Sequence, residues 1–136
     1  MGTLNEHFYR SMHDRRTTLL IERLRGLAAR KPRFSYDVRG DAFVTSDIVV
    51  AYSLGEEGRT DLVSALEHAL THDAIVSGVK DPKSGQVRFS SCRLFTDIGN
   101  ALRFAHEQRS ILVFNWNRMA EVVVPQATPT VAKDPQ

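Results

Sequence analysis

The chain has 136 residues, a formal net charge of +2 and 42% hydrophobic residues, which suits one compact domain with a core of its own. Its single cysteine excludes an internal disulfide framework. No apolar run is long enough to span a bilayer, and Glu6, His7 and Arg10 interrupt the apolar core that a signal peptide needs, so we expect a cytoplasmic protein with no membrane partner.

The first element in the chain is a helix from Leu4 to about Arg30, inside residues 1–31. Pro32 ends it, because proline disfavours helical backbone in the residue before it. Its apolar residues recur near helical spacing and are Phe8, Met12, Leu20, Leu24, Leu27 and Ala28. A helix of about 27 residues extends roughly 40 Å. That is longer than a small sheet covers, so we expect part of its apolar stripe to pack on another chain.

Basic residues concentrate at this end of the chain. Up to Gly40 there are nine basic and four acidic residues, whereas from Asp41 onward there are nine basic and twelve acidic ones. A basic helix favours an anionic partner, or an acidic face of its own or another subunit. The predicted contacts to DNA or RNA phosphates are Arg15, Arg16, Arg23, Arg25, Arg30, Lys31 and Arg33.

A hairpin and a buried strand come next. Phe34, Tyr36 and Val38 alternate with polar residues, which is typical of a half-buried strand, and a turn at residues 39–41 leads into residues 42–45. Ile48 to Tyr52 is continuously apolar, which predicts a central strand covered on both faces.

A pattern then occurs twice, 36 positions apart. Each copy begins with a Thr-Asp pair and an apolar residue, Thr60-Asp61-Leu62 in the first copy and Thr96-Asp97-Ile98 in the second. The first copy continues with Ala65-Leu66, Ala69 and Ile75-Val76. The second copy continues with Ala101-Leu102, Ala105 and Ile111-Leu112. Each copy predicts a capped amphipathic helix followed by two strands, at residues 60–94 and 96–125. A duplication and independent patterning of two amphipathic helices both explain the match. Residues 126–136 contain little to bury and predict a disordered tail.

The first repeated helix carries the only candidate metal ligands, His68, His72 and Asp61, which share one strip of the helix and together suit zinc. However, Asp61 is explained as a helix cap, and the second copy has Phe104 and Gln108 in place of the histidines. No fourth ligand is implied either. We therefore predict no metal and no cofactor.

Catalytic patterns are weak. No serine lies in a Gly-x-Ser-x-Gly setting, and Cys92 has no predictable histidine partner. Asp37, Asp41, Asp47 and Glu57 lie near strands, where a metal-dependent hydrolase gathers carboxylates, but no lysine follows at the usual interval. We expect no enzymatic activity, with a metal-dependent hydrolase as the remaining enzymatic alternative.

Together these patterns predict one α+β domain over residues 1–125: a long N-terminal helix, then a mostly antiparallel sheet with two helices from a repeated helix-strand-strand unit. The predicted core is Leu20, Leu24, Leu27, Val49, Leu62, Leu66, Ala69, Ile75, Ile98, Leu102, Ala105, Ile111 and Val113. The predicted function is a small dimeric binding or regulatory protein, of phage or mobile-element type, that contacts nucleic acid through the first helix. The alternative is a protein-protein interaction module of inhibitor, adaptor or immunity type.

Overall fold

The computed structural model describes residues 13–53 and 60–125. A π-helical turn, His13–Thr17, leads directly into the first α-helix. The helices are α1 (Thr18–Arg30), α2 (Leu62–Leu70) and α3 (Ile98–Gln108). The strands are β1 (Arg33–Asp37), β2 (Ala42–Phe43), β3 (Ile48–Ala51), β4 (Ile75–Lys80), β5 (Val87–Phe95), β6 (Val113–Asn115) and β7 (Ala120–Glu121). The first nine residues of the predicted long helix and the predicted tail, 126–136, lie outside the described residues.

The seven strands form one sheet in the order β2-β1-β4-β5-β3-β6-β7. Every pairing is antiparallel. The α+β prediction is therefore confirmed. β3 is an interior strand between β5 and β6, and all four of its residues are buried, as its continuous apolar run predicted. Within residues 13–53 and 60–125, no helix combines the length and the apolar character needed to cross a bilayer.

All three helices pack on one face of the sheet. α1 and α2 cover one part of it, with the buried group Leu24, Leu27, Ala28, Phe34, Tyr36, Leu62, Leu66, Ala69 and Val76. α3 covers the other part, with the buried group Ile48, Val50, Ala101, Ala105 and Val113. Leu20 packs against the first group from a partly buried position. Most of the predicted core residues are thus core residues.

Among the residues that the structure describes, no helix packs on the opposite face of the sheet, which closes by curling. Arg33 of β1 reaches across this face to β7, where its Nη2 donates to Glu121 Oε2 at 2.6 Å. Trp116, just after β6, donates from Nε1 to the Ser35 hydroxyl of β1 at 3.0 Å. The hydroxyls of Ser35 and Ser77 lie 2.6 Å apart. These contacts tie strands that are far apart in the sheet and bury the polar face of β1.

Burial of that face corrects the prediction of a half-buried β1. Ser35 is 1% exposed, because Trp116 covers it from the far side of the curl. Cys92 on β5 lies beside the same hydroxyls, 3.3 Å from Ser77 Oγ, and burial raises the pKa of its thiol to about 12. The thiol therefore stays protonated, which agrees with a structural role for the lone cysteine.

The two helix-strand-strand units begin alike. The Asp61 side chain accepts a hydrogen bond from the Ser64 N–H at 3.0 Å, and Asp97 accepts one from the Asn100 N–H at 2.9 Å. Each aspartate is therefore the N-cap of its helix, as the repeated Thr-Asp pair predicted. Shared topology and caps are equally compatible with duplication and with independent patterning, so the duplication stays a prediction.

Two predicted core positions in the second unit are exposed, and a third, Leu102, is only partly buried. Ile98 is 44% exposed and lies outside the group that α3 buries against β3. Ile111 is 76% exposed, because the strand begins at Val113 and not at residue 111. Arg109 ends α3 in the left-handed conformation, and the chain uses the next three residues to turn back to the sheet. In the first unit, the residues that correspond to Ile98 and Ile111 are Leu62 and Ile75, and both are buried.

Candidate binding surface

The basic residues predicted to contact nucleic acid do not form one surface. The exposed members of the set are Arg15, Arg16, Arg23, Arg25, Arg30 and Lys31. Arg23 and Arg30 are seven residues apart on α1 and therefore lie along one edge of it. Arg16 lies seven residues before Arg23, in the π-helical turn that leads into α1.

Arg23 is committed to an internal network. Its guanidinium donates to Asp41 Oδ1 at 2.5 Å and to the Tyr36 hydroxyl at 2.9 Å. Tyr36 also donates to the Asp41 carboxylate. Burial and the Asp41 carboxylate together raise the pKa of Tyr36. The network fixes α1 on the β1–β2 hairpin and offsets part of the positive charge of this edge.

Arg33 lies on the other face of the sheet from α1. Its guanidinium carbon is 4.2 Å from the centre of the Phe114 ring, and its side chain is only 20% exposed. With the Glu121 ion pair, these contacts make it part of the closure of the curl. The structure thus separates Arg33 from the other predicted contacts.

An open cleft lies beside the basic edge of α1. Its volume is about 900 Å³. The first half of α1, the end of the β1 region and the last turn of α2 form its walls. Its lining residues are Arg16, Thr17, Leu19, Leu20, Arg23, Val38, Arg39, Glu67, Leu70 and Thr71. We call this surface the arginine-rimmed cleft, since the surface of the lining is mainly apolar and the three arginines supply most of its charge.

Two leucines that line the cleft have much of their side-chain surface exposed to solvent. Leu19 on α1 is 66% exposed and Leu70 at the end of α2 is 36% exposed. Val63, two turns before Leu70 on α2, is 41% exposed and continues the apolar edge of that helix. Apolar side chains grouped on a surface and bordered by charge are typical of interaction sites.

Arg39 shapes the far rim of the cleft. Its Nη2 donates to the Leu70 carbonyl oxygen at 3.4 Å, so it partly satisfies the end of α2. Asp37 holds the backbone of this turn by accepting from the N–H groups of Arg39 and Gly40 at 3.0 and 2.9 Å. The rim is therefore positioned by backbone contacts and is available without refolding of the hairpin.

A second group of functional residue types lies on the opposite side of α2. The rings of His68 and His72 stack with centroids 3.7 Å apart and planes 6° apart. Tyr52, just after β3, packs on both, with centroid distances of 4.8 and 5.2 Å. Phe104 of α3 meets the other side of Tyr52 at 5.2 Å. We call these four residues the histidine-tyrosine cluster.

Asp73 holds the tyrosine of this cluster. The Tyr52 hydroxyl donates to Asp73 Oδ2 at 2.5 Å, and Arg93 Nε lies 4.0 Å from the same oxygen. Burial and the nearby carboxylate raise the pKa of Tyr52 to about 12, so it remains a neutral donor at ordinary pH. Arg93 acts on the pKa of Tyr52 in the opposite direction, but burial and Asp73 outweigh it.

The candidate zinc ligands do not converge. Asp61 caps α2, seven residues before His68, and the stacked histidines use their Nδ1 atoms elsewhere: His68 with the Ser91 hydroxyl at 2.8 Å, His72 with the His68 carbonyl at 2.8 Å. No group of three or more histidine, cysteine, aspartate or glutamate side chains suited to a metal occurs in residues 13–53 and 60–125.

The carboxylates considered for a hydrolase are also separate. Asp37 supports its own turn, and Asp41 pairs with Arg23. Asp47 offers its backbone N–H to Asn117 Oδ1 at 3.1 Å, near the other end of the sheet. Glu57 lies outside the described residues. The Asp37 carboxylate is therefore bound into a local turn and that of Asp41 into an ion pair, and Asp47 lies apart from both.

Sequence reasoning missed the cleft. Its apolar lining comes from Leu19 and Leu70, which lie beside the buried stripes of their helices and not on them. Leu19 could have indicated the cleft in the sequence. It is an apolar residue next to Leu20, and only Leu20 is needed for the apolar stripe of the helix. Comparison with known proteins finds no matching family, no similar curated protein and no solved structure of similar fold.

Proposed function

We propose that this chain is a non-enzymatic binding protein that holds an acidic, amphipathic helical segment of a partner protein in the arginine-rimmed cleft. The observation that supports this most directly is the combination of an apolar lining with an arginine rim. The proposal corresponds to the alternative function predicted from the sequence, a protein-protein interaction module. The recognition surface proposed here is the edge of α1 and not its apolar stripe.

The apolar lining favours a protein ligand over a phosphate backbone. Leu19 and Leu70 expose large fractions of their surface, and apolar surface removed from water contributes roughly 25 cal/mol per Å². Leucine-type side chains of a partner helix, three or four residues apart, fill such a cleft between two helices. A sugar-phosphate backbone offers no comparable apolar group.

The rim favours an acidic partner. Arg16, Arg23 and Arg39 face the cleft with only Glu67 as an acidic lining residue. Asp41 offsets Arg23, so Arg16 and Arg39 carry the remaining attraction. Carboxylates beside the apolar anchors of the partner would meet these guanidinium groups at the edge, where charge complementarity raises the association rate and sets orientation.

A displayed library of random 16-residue peptides tests the proposal. Peptides selected on the wild-type protein should combine aspartate or glutamate with two or three large apolar residues at helical spacing. Leu19→Asp and Arg16→Glu should each weaken their binding by at least tenfold, because both side chains line the cleft and both are exposed. Arg25→Glu is the matched control, since Arg25 is an exposed arginine of α1 outside the cleft lining.

Several results would overturn the proposal. Selection of no peptide, or of peptides whose affinity ignores Leu19→Asp, would show that the cleft does not recognise them. Light scattering tests the predicted homodimer. If the wild-type protein has twice the 15.3 kDa mass of one chain and Leu19→Asp has the mass of one chain, the cleft binds a second copy of this protein.

Nucleic-acid binding is the second candidate, and the exposure of Arg15, Arg16, Arg25, Arg30 and Lys31 favours it. Labelled duplex DNA and single-stranded RNA, titrated across a salt series, provide the test. If these residues meet phosphates, binding should weaken steeply with salt and be lost in Arg15→Ala/Arg16→Ala/Arg25→Ala, while the uncharged change Leu19→Ala leaves it unchanged. No binding at low salt would remove this candidate.

A further inference from the structure

The histidine-tyrosine cluster fills the space between α2 and α3. His68 and His72 belong to α2, and Phe104 belongs to α3. Tyr52 lies between the two helices and contacts all three rings. At this point α3 therefore contacts α2 through Tyr52, which packs on the stacked histidines.

The stack is built for neutral rings. The carbonyl oxygen of His68 can only accept a hydrogen bond, so Nδ1 of His72, 2.8 Å away, carries a proton in the neutral ring. A further proton on each ring would place two positive charges on planes whose centroids are 3.7 Å apart. Like charges at that distance, partly shielded from water, repel strongly.

The surroundings supply little compensation for that charge. Partial burial and the neighbouring ring of His72 lower the pKa of His68, while Asp73 acts in the opposite direction. Asp73 is already engaged by the Tyr52 hydroxyl and lies near Arg93 of β5, a positive group. Three uncharged residues also contact the cluster: Ser91 of β5, Phe104 of α3 and Thr71, whose hydroxyl lies 3.1 Å from His72 Nδ1.

We propose that the stacked His68 and His72 form an acid-sensitive joint, at which protonation separates the two rings and loosens the packing of Tyr52 between α2 and α3. α2 is also a wall of the arginine-rimmed cleft through Glu67 and Leu70. The proposed joint therefore lies on a helix that also forms part of the cleft. The inference concerns the fold and does not depend on what the cleft binds.

The direction of the pH effect follows from linkage. His68 holds a proton less readily in the folded chain than in the unfolded one, so its contribution to stability is complete above the ordinary histidine pKa and decreases as pH falls through that value. Carboxylates with ordinary pKa values change little between pH 7.5 and 5.5. This window therefore isolates the histidines.

Urea unfolding at pH 7.5, 6.5 and 5.5 tests the joint, with His68→Gln, His72→Gln and the control His106→Gln. His106 is an exposed histidine on α3 with no part in the stack. The unfolding midpoint of wild type and His106→Gln should fall over this range, and each stack variant should lose at least half of that fall. Equal falls in all four proteins would overturn the inference.

Nuclear magnetic resonance on the wild-type chain gives an answer even if a stack variant fails to fold. The ring resonances of His68 should titrate below the ordinary histidine range, and contacts between Tyr52 and Phe104 should weaken over the same pH interval. Titration of His68 in or above the ordinary range, or Tyr52 contacts that persist at pH 5.5, would refute the joint.

Discussion

Replacement of Gly78 by alanine tests the close packing of β1 against β4. A Cβ atom built at Gly78 lies 2.5 Å from Cε2 and 2.8 Å from Cζ of the Phe34 ring, nearer than non-bonded carbons approach. Phe34 is 1% exposed and has Phe89 at a centroid distance of 6.5 Å, so it has little room to move. Overpacking of this kind costs about 1–3 kcal/mol, and we expect Gly78→Ala to lower the free energy of unfolding by about 2 kcal/mol.

The single tryptophan makes the assay simple. Trp116 lies on the curled face, so its fluorescence follows unfolding in urea without added labels. Gly26→Ala is the control: its Cβ meets only the flexible end of Arg30, at 3.3 Å, and helix propensity predicts a gain of roughly 1 kcal/mol. In a Phe34→Leu background, Gly78→Ala should cost less than alone. Wild-type stability in Gly78→Ala, or the same cost in both backgrounds, would refute the steric argument.

Two further predictions concern arginines. Arg33→Ala removes the contacts to Glu121 and Phe114, so we expect it to lower the free energy of unfolding by about 1–2 kcal/mol. The control Arg25→Ala, at an exposed arginine, should not show this loss. If both variants match wild type in urea unfolding, Arg33 does not close the curl. Arg109→Gly relieves a left-handed residue at φ 55°, so thermal unfolding should show a gain of roughly 0.5–1 kcal/mol, and a loss would mean that the arginine side chain has a stabilising contact.

The arginine prediction also separates the two functional candidates. If Arg33 contacted nucleic acid, its loss would weaken DNA or RNA binding about as much as the loss of another phosphate-binding arginine. Its position beside Phe114 instead predicts unchanged salt dependence in Arg33→Ala wherever the protein remains folded. Binding and stability measured on the same variant therefore distinguish structural from recognition roles.

Local features of the fold could be predicted from the sequence because they depend on residues a few positions apart. The caps at Asp61 and Asp97 need only the N–H groups three residues later. The buried stripe of α1 and the continuous apolar run of β3 each report their own burial through spacing alone. Fold class followed from the order of these elements.

Tertiary structure decided what the curl and the helix packing bring together. In the sequence, Arg33 is one more basic residue of the basic N-terminal part, yet its partner Glu121 is 88 positions away, on a strand that only the curled sheet brings near. The burial of Ser35 by Trp116 has the same origin. The arginine-rimmed cleft likewise depends on how α1 lies beside α2. Periodicity determines which face of an element is apolar, whereas distant elements decide what covers that face and what stays open.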